Sequence, residues 1–248
     1  MGIGPGGRDH LTPAAEATLR AADVVVGYQP YLQLVAPLIA GKRTISSGMR
    51  REVQRATLAI EAALQGSHVA MISSGDAGIY GMAGLVLELL PVKSCVEVEI
   101  VPGITAASAA AACLGAPLMN DFAVISLSDL LTPLAVIERR LNGAIAGDFV
   151  IALYNPRSSR RVEPLRRALA LLRAGRAADT PVGVVRDALR EGQSVRVTTL
   201  ECLKEDDLDM RTVIIVGNTA TMVRDGRMVT TRGYSVKDAE FLSGRQKA

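Results

Sequence analysis

Four stretches of the chain concentrate the residues that could do chemistry, and in each most of that chemistry would fall to the backbone. Gly2-Ile3-Gly4-Pro5-Gly6-Gly7 opens the sequence. Ser73-Ser74-Gly75-Asp76-Ala77-Gly78-Ile79-Tyr80-Gly81 follows an apolar run at 69–72. Val101-Pro102-Gly103-Ile104-Thr105-Ala106-Ala107-Ser108 is a second corner, and Ala152-Leu153-Tyr154-Asn155-Pro156-Arg157-Ser158 is a third. Glycine lets a ligand approach the main chain closely. Open amides and carbonyls at such turns suit a polar cofactor, with Asp76 adding one carboxylate, solvated or paired with ligand. Each stretch also has a plainer reading. The 73–81 loop is equally an ordinary turn between strand and helix. The small residues behind Thr105, itself a possible cap, suit helix packing. Asn155, pushed toward extended geometry by Pro156, suits a capped turn.

The opening glycines literally satisfy the dinucleotide pattern GxGxxG, with Asp23 about 20 residues on. That reading fails on two counts. Asp23 opens the next strand instead of ending it, and Pro5 removes an amide that would face a pyrophosphate.

Other chemistries are excluded by what is scarce. Cys95, Cys113 and Cys202 are odd in number and far apart, so they are expected as buried free thiols in a reducing cytoplasm. His10 and His68 are the only imidazoles, and no metal site is expected. No Ser–His–Asp set is present. The 248 residues carry a net charge of +3, with no Trp, 5 Tyr and 3 Phe. Such a chain is neither a histone-like binder nor a stacking platform for single-stranded nucleic acid. The longest weakly polar run, 104–119, holds Thr105, Ser108 and Pro117 and falls short of the ~20 apolar residues of a membrane span. Neither nucleic acid nor membrane is expected as a partner, and the expected location is the cytoplasm.

Elements that alternate in type must position these stretches. Strands are predicted at 24–26, 69–73, 96–101, 122–127, 149–153, 182–185, 194–199 and 213–216. Helices are predicted at 12–22, 50–65, 83–90, 105–114, 133–141, 161–174 and, more weakly patterned, 200–206. The first strand has only residues 1–4 to draw on, so it is expected to be either very short or lost from this version of the chain. The alternation implies an α/β fold. Leu114-Gly115-Ala116-Pro117 breaks the chain, which sets the expected domains at 1–117 and 118–248. The first holds 8 basic and 9 acidic side chains, the second 20 and 16. The second is rich in Arg, whose planar fork suits carboxylates.

Taken together, the opening Gly-x-Gly-Pro-Gly, the Gly75-Asp76 loop, the Pro102-Gly103-Ile104-Thr105-Ala106 corner and the Tyr154-Asn155 strand end resemble the tetrapyrrole (corrin and uroporphyrinogen) methyltransferase family, from Gly2 to about Tyr234. Within it, Val26-Gly27-Tyr28, Ser74 to Gly81, Asp121-Phe122, Ile125 to Asp129 and Tyr154-Asn155-Pro156 look like the precorrin-3B C-17 methyltransferase branch, whose anaerobic counterpart acts on cobalt-factor III. The resemblance implies two α/β domains, usually as a homodimer, with S-adenosyl-L-methionine in the interdomain cleft and S-adenosyl-L-homocysteine as product. It implies a tetrapyrrole substrate, precorrin-3B, methylated at C-17 with ring contraction during cobalamin synthesis; alternatives are methylation of cobalt-factor III or at another corrin carbon, or a non-catalytic tetrapyrrole carrier. Carried over, the cofactor contacts are Pro5, Gly75, Asp76, Ala77, Ile79, Thr105, Ala106, Tyr154, Asn155 and Ala188. Ring contraction calls for an acid–base group, for which Ser126, Ser128 and Asp129 are candidates; helix N-capping is their competing role, since Pro133 follows. Ser126 and Arg157 are expected to meet substrate, Arg157 through a substrate carboxylate. Two departures stand out. Many relatives carry an acid directly after Gly-Pro-Gly, where this chain has Gly7, and often Gly-Asp-Pro where it has Gly75-Asp76-Ala77.

Overall fold

The computed structural model describes residues 1–233, so Tyr234 and the rest of the expected second domain lie outside the described residues. Helix α1 (Pro13–Ala21) starts as its sequence dictates: Thr12 accepts a hydrogen bond from Ala15 N at 3.1 Å and Pro13 fills the first turn. Then follow β1 (Val24–Tyr28), α2 (Gln29–Leu34), β2 (Arg43–Ser47), α3 (Glu52–Leu64), β3 (Val69–Met71), α4 (Ala83–Leu89) and α5 (Ala106–Leu114). The second half runs β4 (Gly115–Ala116), β5 (Phe122–Ser126), α6 (Leu134–Ala146), β6 (Val150–Tyr154), α7 (Glu163–Gly175), β7 (Pro181–Arg186), β8 (Ser194–Thr199), β9 (Thr212–Val216), β10 (Thr221–Arg224) and β11 (Arg227–Thr230).

The chain divides into two compact units. The first comprises Met1–Ala109 with Ala188–Gly192, and the second starts at Ala110 and takes in the remaining described residues. The division falls inside α5, ahead of the expected break at 117/118. Gly115 and Ala116 of that break form β4 and pair in parallel with Met228 and Val229.

In the first unit β1 is central, parallel to both β2 and β3, with Val24 opposite Arg43 and Val69. Its alternation buries both faces. Val25 packs with Leu19, Leu32 and Ile72, while Val24 and Val26 pack with Ala56, Ala59 and Met71. A strand buried on both sides reads as a continuous apolar run, as Val24-Val25-Val26 does. In the second unit the sheet order is β5-β6-β9-β7-β8; β5 and β6 are parallel and the other neighbours antiparallel. Ile125, Leu127 and Leu153 pack on Leu141 of α6 and Leu165, Leu169 and Leu172 of α7.

Several expectations are corrected. The strand expected at 96–101 is irregular and the helix expected at 200–206 is only a turn at Glu205–Asp207. The edge strand β2 and the β10–β11 hairpin were not predicted. Cys95 and Cys202 are exposed and Cys113 half-buried, because the first two lie in loops. Among the described residues no group of His, Cys, Asp or Glu could hold a metal ion, and no helix is long and apolar enough to cross a membrane.

Candidate functional site

In the first unit the three glycine-rich stretches meet at the end of β3. Gly2 N donates to Val101 O (2.9 Å), Ile3 N to Ser73 O (2.9 Å) and Gly4 N to Gly75 O (3.0 Å). Residues 1–4 form no regular strand and pair instead through isolated bridges of Gly2 to Ser73 and Gly4 to Gly75. Three backbones approach so closely that side chains are excluded. A Cβ on Gly2 would stand 2.5 Å from Gly75 O, and one on Gly103 only 2.3 Å from it.

Asp76 locks this junction. Its Oδ1 accepts from Gly78 N (2.7 Å) and Ile79 N (3.2 Å), and its Oδ2 from Gly103 N (2.9 Å). The expectation of a solvated or ligand-paired carboxylate is therefore corrected: Gly75, at φ +69°, turns the chain so that the carboxylate folds back onto amides. Ala77 is buried, while Ile79 stands exposed on the loop's outer side. Thr105 precedes α5 and its carbonyl accepts from Ala109 N at 3.1 Å. Ala188 sits between Asp187 (φ +50°) and Leu189 (φ +58°), in the segment that joins the first unit.

That segment supplies a residue the sequence reading missed. Arg190 donates through Nε to Pro5 O and through Nη2 to Ser74 Oγ (2.7 Å), so it ties two of the glycine stretches together. Nothing in its local sequence signals this, because its partners are about half the chain or more away.

The second unit gathers Ser126, Ser128, Asp129, Tyr154 and Asn155 at the ends of the parallel pair β5 and β6. Asn155 takes φ +53°, left-handed instead of the expected extended geometry, a conformation Asn tolerates. Its Nδ2 donates to Ser126 Oγ (3.0 Å), which also accepts from Ser128 N (3.2 Å). Arg161, which no local motif singles out in the sequence, holds the cluster. It donates to Leu127 O and to Asn155 O (2.7 Å), and its Nε lies 3.9 Å from Asp129 Oδ1. Burial pushes its guanidinium pKa down, and the Asp129 charge opposes that. None of the three candidates caps α6: Pro133 occupies the cap without a side-chain bond. Arg157 donates through Nη1 to both Glu205 O (2.9 Å) and Asp206 Oδ1 (2.8 Å), so that nitrogen already has partners from its own chain.

A family model described as Tetrapyrrole (Corrin/Porphyrin) Methylases matches residues 1–204. A Salmonella typhimurium protein named "Probable cobalt-factor III C(17)-methyltransferase" is 52% identical over 95% of this chain and 98% of its own length. "Cobalamin biosynthesis protein CbiHC" of Archaeoglobus fulgidus is 48% identical over 96% of this chain but only 52% of that protein, so the chain spans about half of it. Among solved structures, that of "the methyltransferase CobJ" is 40% identical, with a TM-score of 0.88 over 93% of this chain and 97% of that one.

Proposed function

Since the chain belongs to the tetrapyrrole (corrin/porphyrin) methylase family, we propose that it methylates cobalt-factor III at C-17 in cobalamin biosynthesis, using S-adenosyl-L-methionine. The observation that carries this reading is the 52% identity, along nearly the full length of both chains, to a protein named for that reaction. Precorrin-3B, the metal-free substrate expected first from the sequence, is the competing substrate; the relative's name favours the cobalt-loaded one.

The donor set of the first unit fits such a cofactor. An added Cβ at Gly75 would stand in van der Waals contact with Ala106 N (3.7 Å) and Ile104 O (3.8 Å), so a side chain there would fill the space beside these polar backbone groups. When bound, the cofactor supplies an electrophilic methyl group. Pro5, Gly75, Ala77, Ile79, Thr105, Ala106 and Ala188 would hold it, mostly through main-chain groups. Tyr154 and Asn155 are proposed as cofactor contacts on the resemblance alone. Alignment of reacting atoms is the enzyme's main task here, and positioning of that kind supplies ~7–11 kcal/mol. For ring contraction, Ser128 Oγ and Asp129 Oδ1 are the proposed proton-carrying atoms, with Ser126 and Arg161 holding them in place.

The test is incubation of the purified chain with methyl-labelled cofactor and either cobalt-factor III or precorrin-3B, followed by mass spectrometry and mapping of the product. One labelled methyl at C-17 of the cobalt-loaded ring is the expected result. Preference for precorrin-3B would overturn the choice of substrate, and transfer to neither would overturn the enzyme reading in favour of a carrier.

A further inference from the structure

Beside the glycine junction, wholly within the first unit, lies a cavity of about 210 Å³ lined by Tyr28, Tyr31, Glu52, Arg55, Ile72 and Tyr80 among others. Arg55 is unusual for a charged residue: only 5% of it is exposed, on the buried face of α3. A buried cation needs both hydrogen bonds and a counter-charge. It has half of this. Its Nη1 donates to Ser47 Oγ (2.8 Å), Ser47 O (3.3 Å) and Gly48 O (3.4 Å). The closest carboxylate is Glu52 Oε1, 3.7 Å from Nη2, beyond hydrogen-bond distance and half exposed. Among the described residues Nε and Nη2 donate to nothing, yet they are not sealed in as the orphaned Nε of Arg176 is. That edge of the guanidinium is the one that takes a carboxylate through two parallel hydrogen bonds.

The surroundings fit the same occupant. The Tyr28 ring lies 6.0 Å from the guanidinium carbon and meets Tyr31 edge-on at 5.2 Å. Burial pushes the Tyr31 phenol above its usual pKa, so it stays a neutral donor at physiological pH. The cavity is smaller than the ~300–1,000 Å³ typical of sites that enclose a whole ligand. It suits an arm of a molecule and not a macrocycle.

We infer that Arg55, with Tyr28 and Tyr31, forms a subsite for one carboxylate arm of a polycarboxylate tetrapyrrole, and so helps set which way round the ring binds. This rests on the methyltransferase reading for its choice of ligand. Uroporphyrin III, a fluorescent tetrapyrrole with eight carboxylates, serves as the probe on the purified chain. Arg55→Gln is expected to weaken probe binding about ten- to a hundredfold, the range for loss of a charge-assisted pair, while S-adenosyl-L-homocysteine binding changes less than about twofold. Arg55→Lys, with charge but no fork, is expected to recover only part of the loss. Unchanged probe binding in Arg55→Gln, or equal losses for probe and S-adenosyl-L-homocysteine, would overturn the subsite. Should the Arg55 variants fail to fold, Glu52→Gln decides. It leaves the bonds of Arg55 intact and removes a competing acid, so it is expected to tighten probe binding several-fold; unchanged or weaker binding sinks the inference. A parent protein that obeys these results but methylates neither cobalt-factor III nor precorrin-3B would leave the subsite standing and overturn only the proposed reaction.

Discussion

Both units build a cluster at the ends of parallel strands, but from different material. In the first, main chain meets main chain, with Gly2 and Gly103 where no side chain fits, Gly75 at a positive φ, and one carboxylate, Asp76, spent on three amides. In the second, side chains bridge the strands: Asn155 to Ser126, Arg161 to Leu127 O and Asn155 O. A backbone-built corner presents fixed donors and acceptors to a ligand recognised by shape. A corner built from side chains places groups that can move a proton. The contrast predicts different responses to substitution, and the largest should come where backbones touch. Gly103→Ala would press a Cβ onto Gly75 O, where neither side can yield. It is expected to destabilise the protein by about 3 kcal/mol or more and to abolish S-adenosyl-L-homocysteine binding. Urea unfolding and calorimetry check both; a stable variant that still binds would show that the junction can relax.

Next in size is Arg161→Met. It fills similar space but leaves Leu127 O and Asn155 O without their donor, each within reach of some ~1–3 kcal/mol if buried. A total loss of about 2 kcal/mol is expected, with a larger fall in kcat than in cofactor affinity, because the Ser126–Asp129 strand end loses its brace. Equal falls in both would argue against separate tasks for the two units. Asp76→Ala comes third. Its three amides are partly open to water, which can replace the carboxylate, so about 1 kcal/mol is expected together with weaker cofactor binding. That exceeds the ~0.5 kcal/mol of an ordinary surface loop charge.

The difference in material also explains what could be read from sequence. Glycine announces a close approach by its type alone, so the 2–7, 73–81 and 101–108 stretches were legible. So were Val24-Val25-Val26 and 213–216, whose apolar runs fit no exposed element. Arg190 and Arg161 were not, because their roles depend on partners brought near only by folding. Val96-Glu97-Val98-Glu99 alternates like a strand, yet among the described residues this stretch bonds only through Val96 N to Ser94 Oγ and, at its end, Gly2 N to Val101 O. A strand needs a neighbour along its length, and residues 1–4 reach this segment at Val101 alone among the described residues. Conversely β2, Arg-Thr-Ile-Ser-Ser, is polar because it is an edge. The β10–β11 hairpin did carry a signal, Asp225-Gly226, and both residues adopt the positive φ that such a turn requires.

The smallest expected effect tests side-chain bracing in the second unit by pH. Asp209 links the end of β7 to the start of β9, accepting from Arg186 Nε (2.8 Å), Thr212 Oγ1 (2.9 Å) and Arg211 N (2.9 Å). Burial alone would raise its pKa; the bonds from Arg186, Thr212 and Arg211 outweigh that and hold it below the usual carboxylate value. The folded protein therefore releases this proton more readily than the unfolded chain. Its stabilisation is complete above the unfolded pKa of about 3.9 and is lost as pH falls through the lower, folded value. Asp209 and Arg186 are each more than two-fifths exposed, so solvent screens the pair and under about 1 kcal/mol is at stake. Asp209→Asn should lower stability slightly near neutral pH and flatten the decline below pH ~4, with the two curves converging in acid. Urea midpoints measured from pH 2.5 to 7 would show this. Parallel curves at every pH would mean that Asp209 acts through shape and not charge.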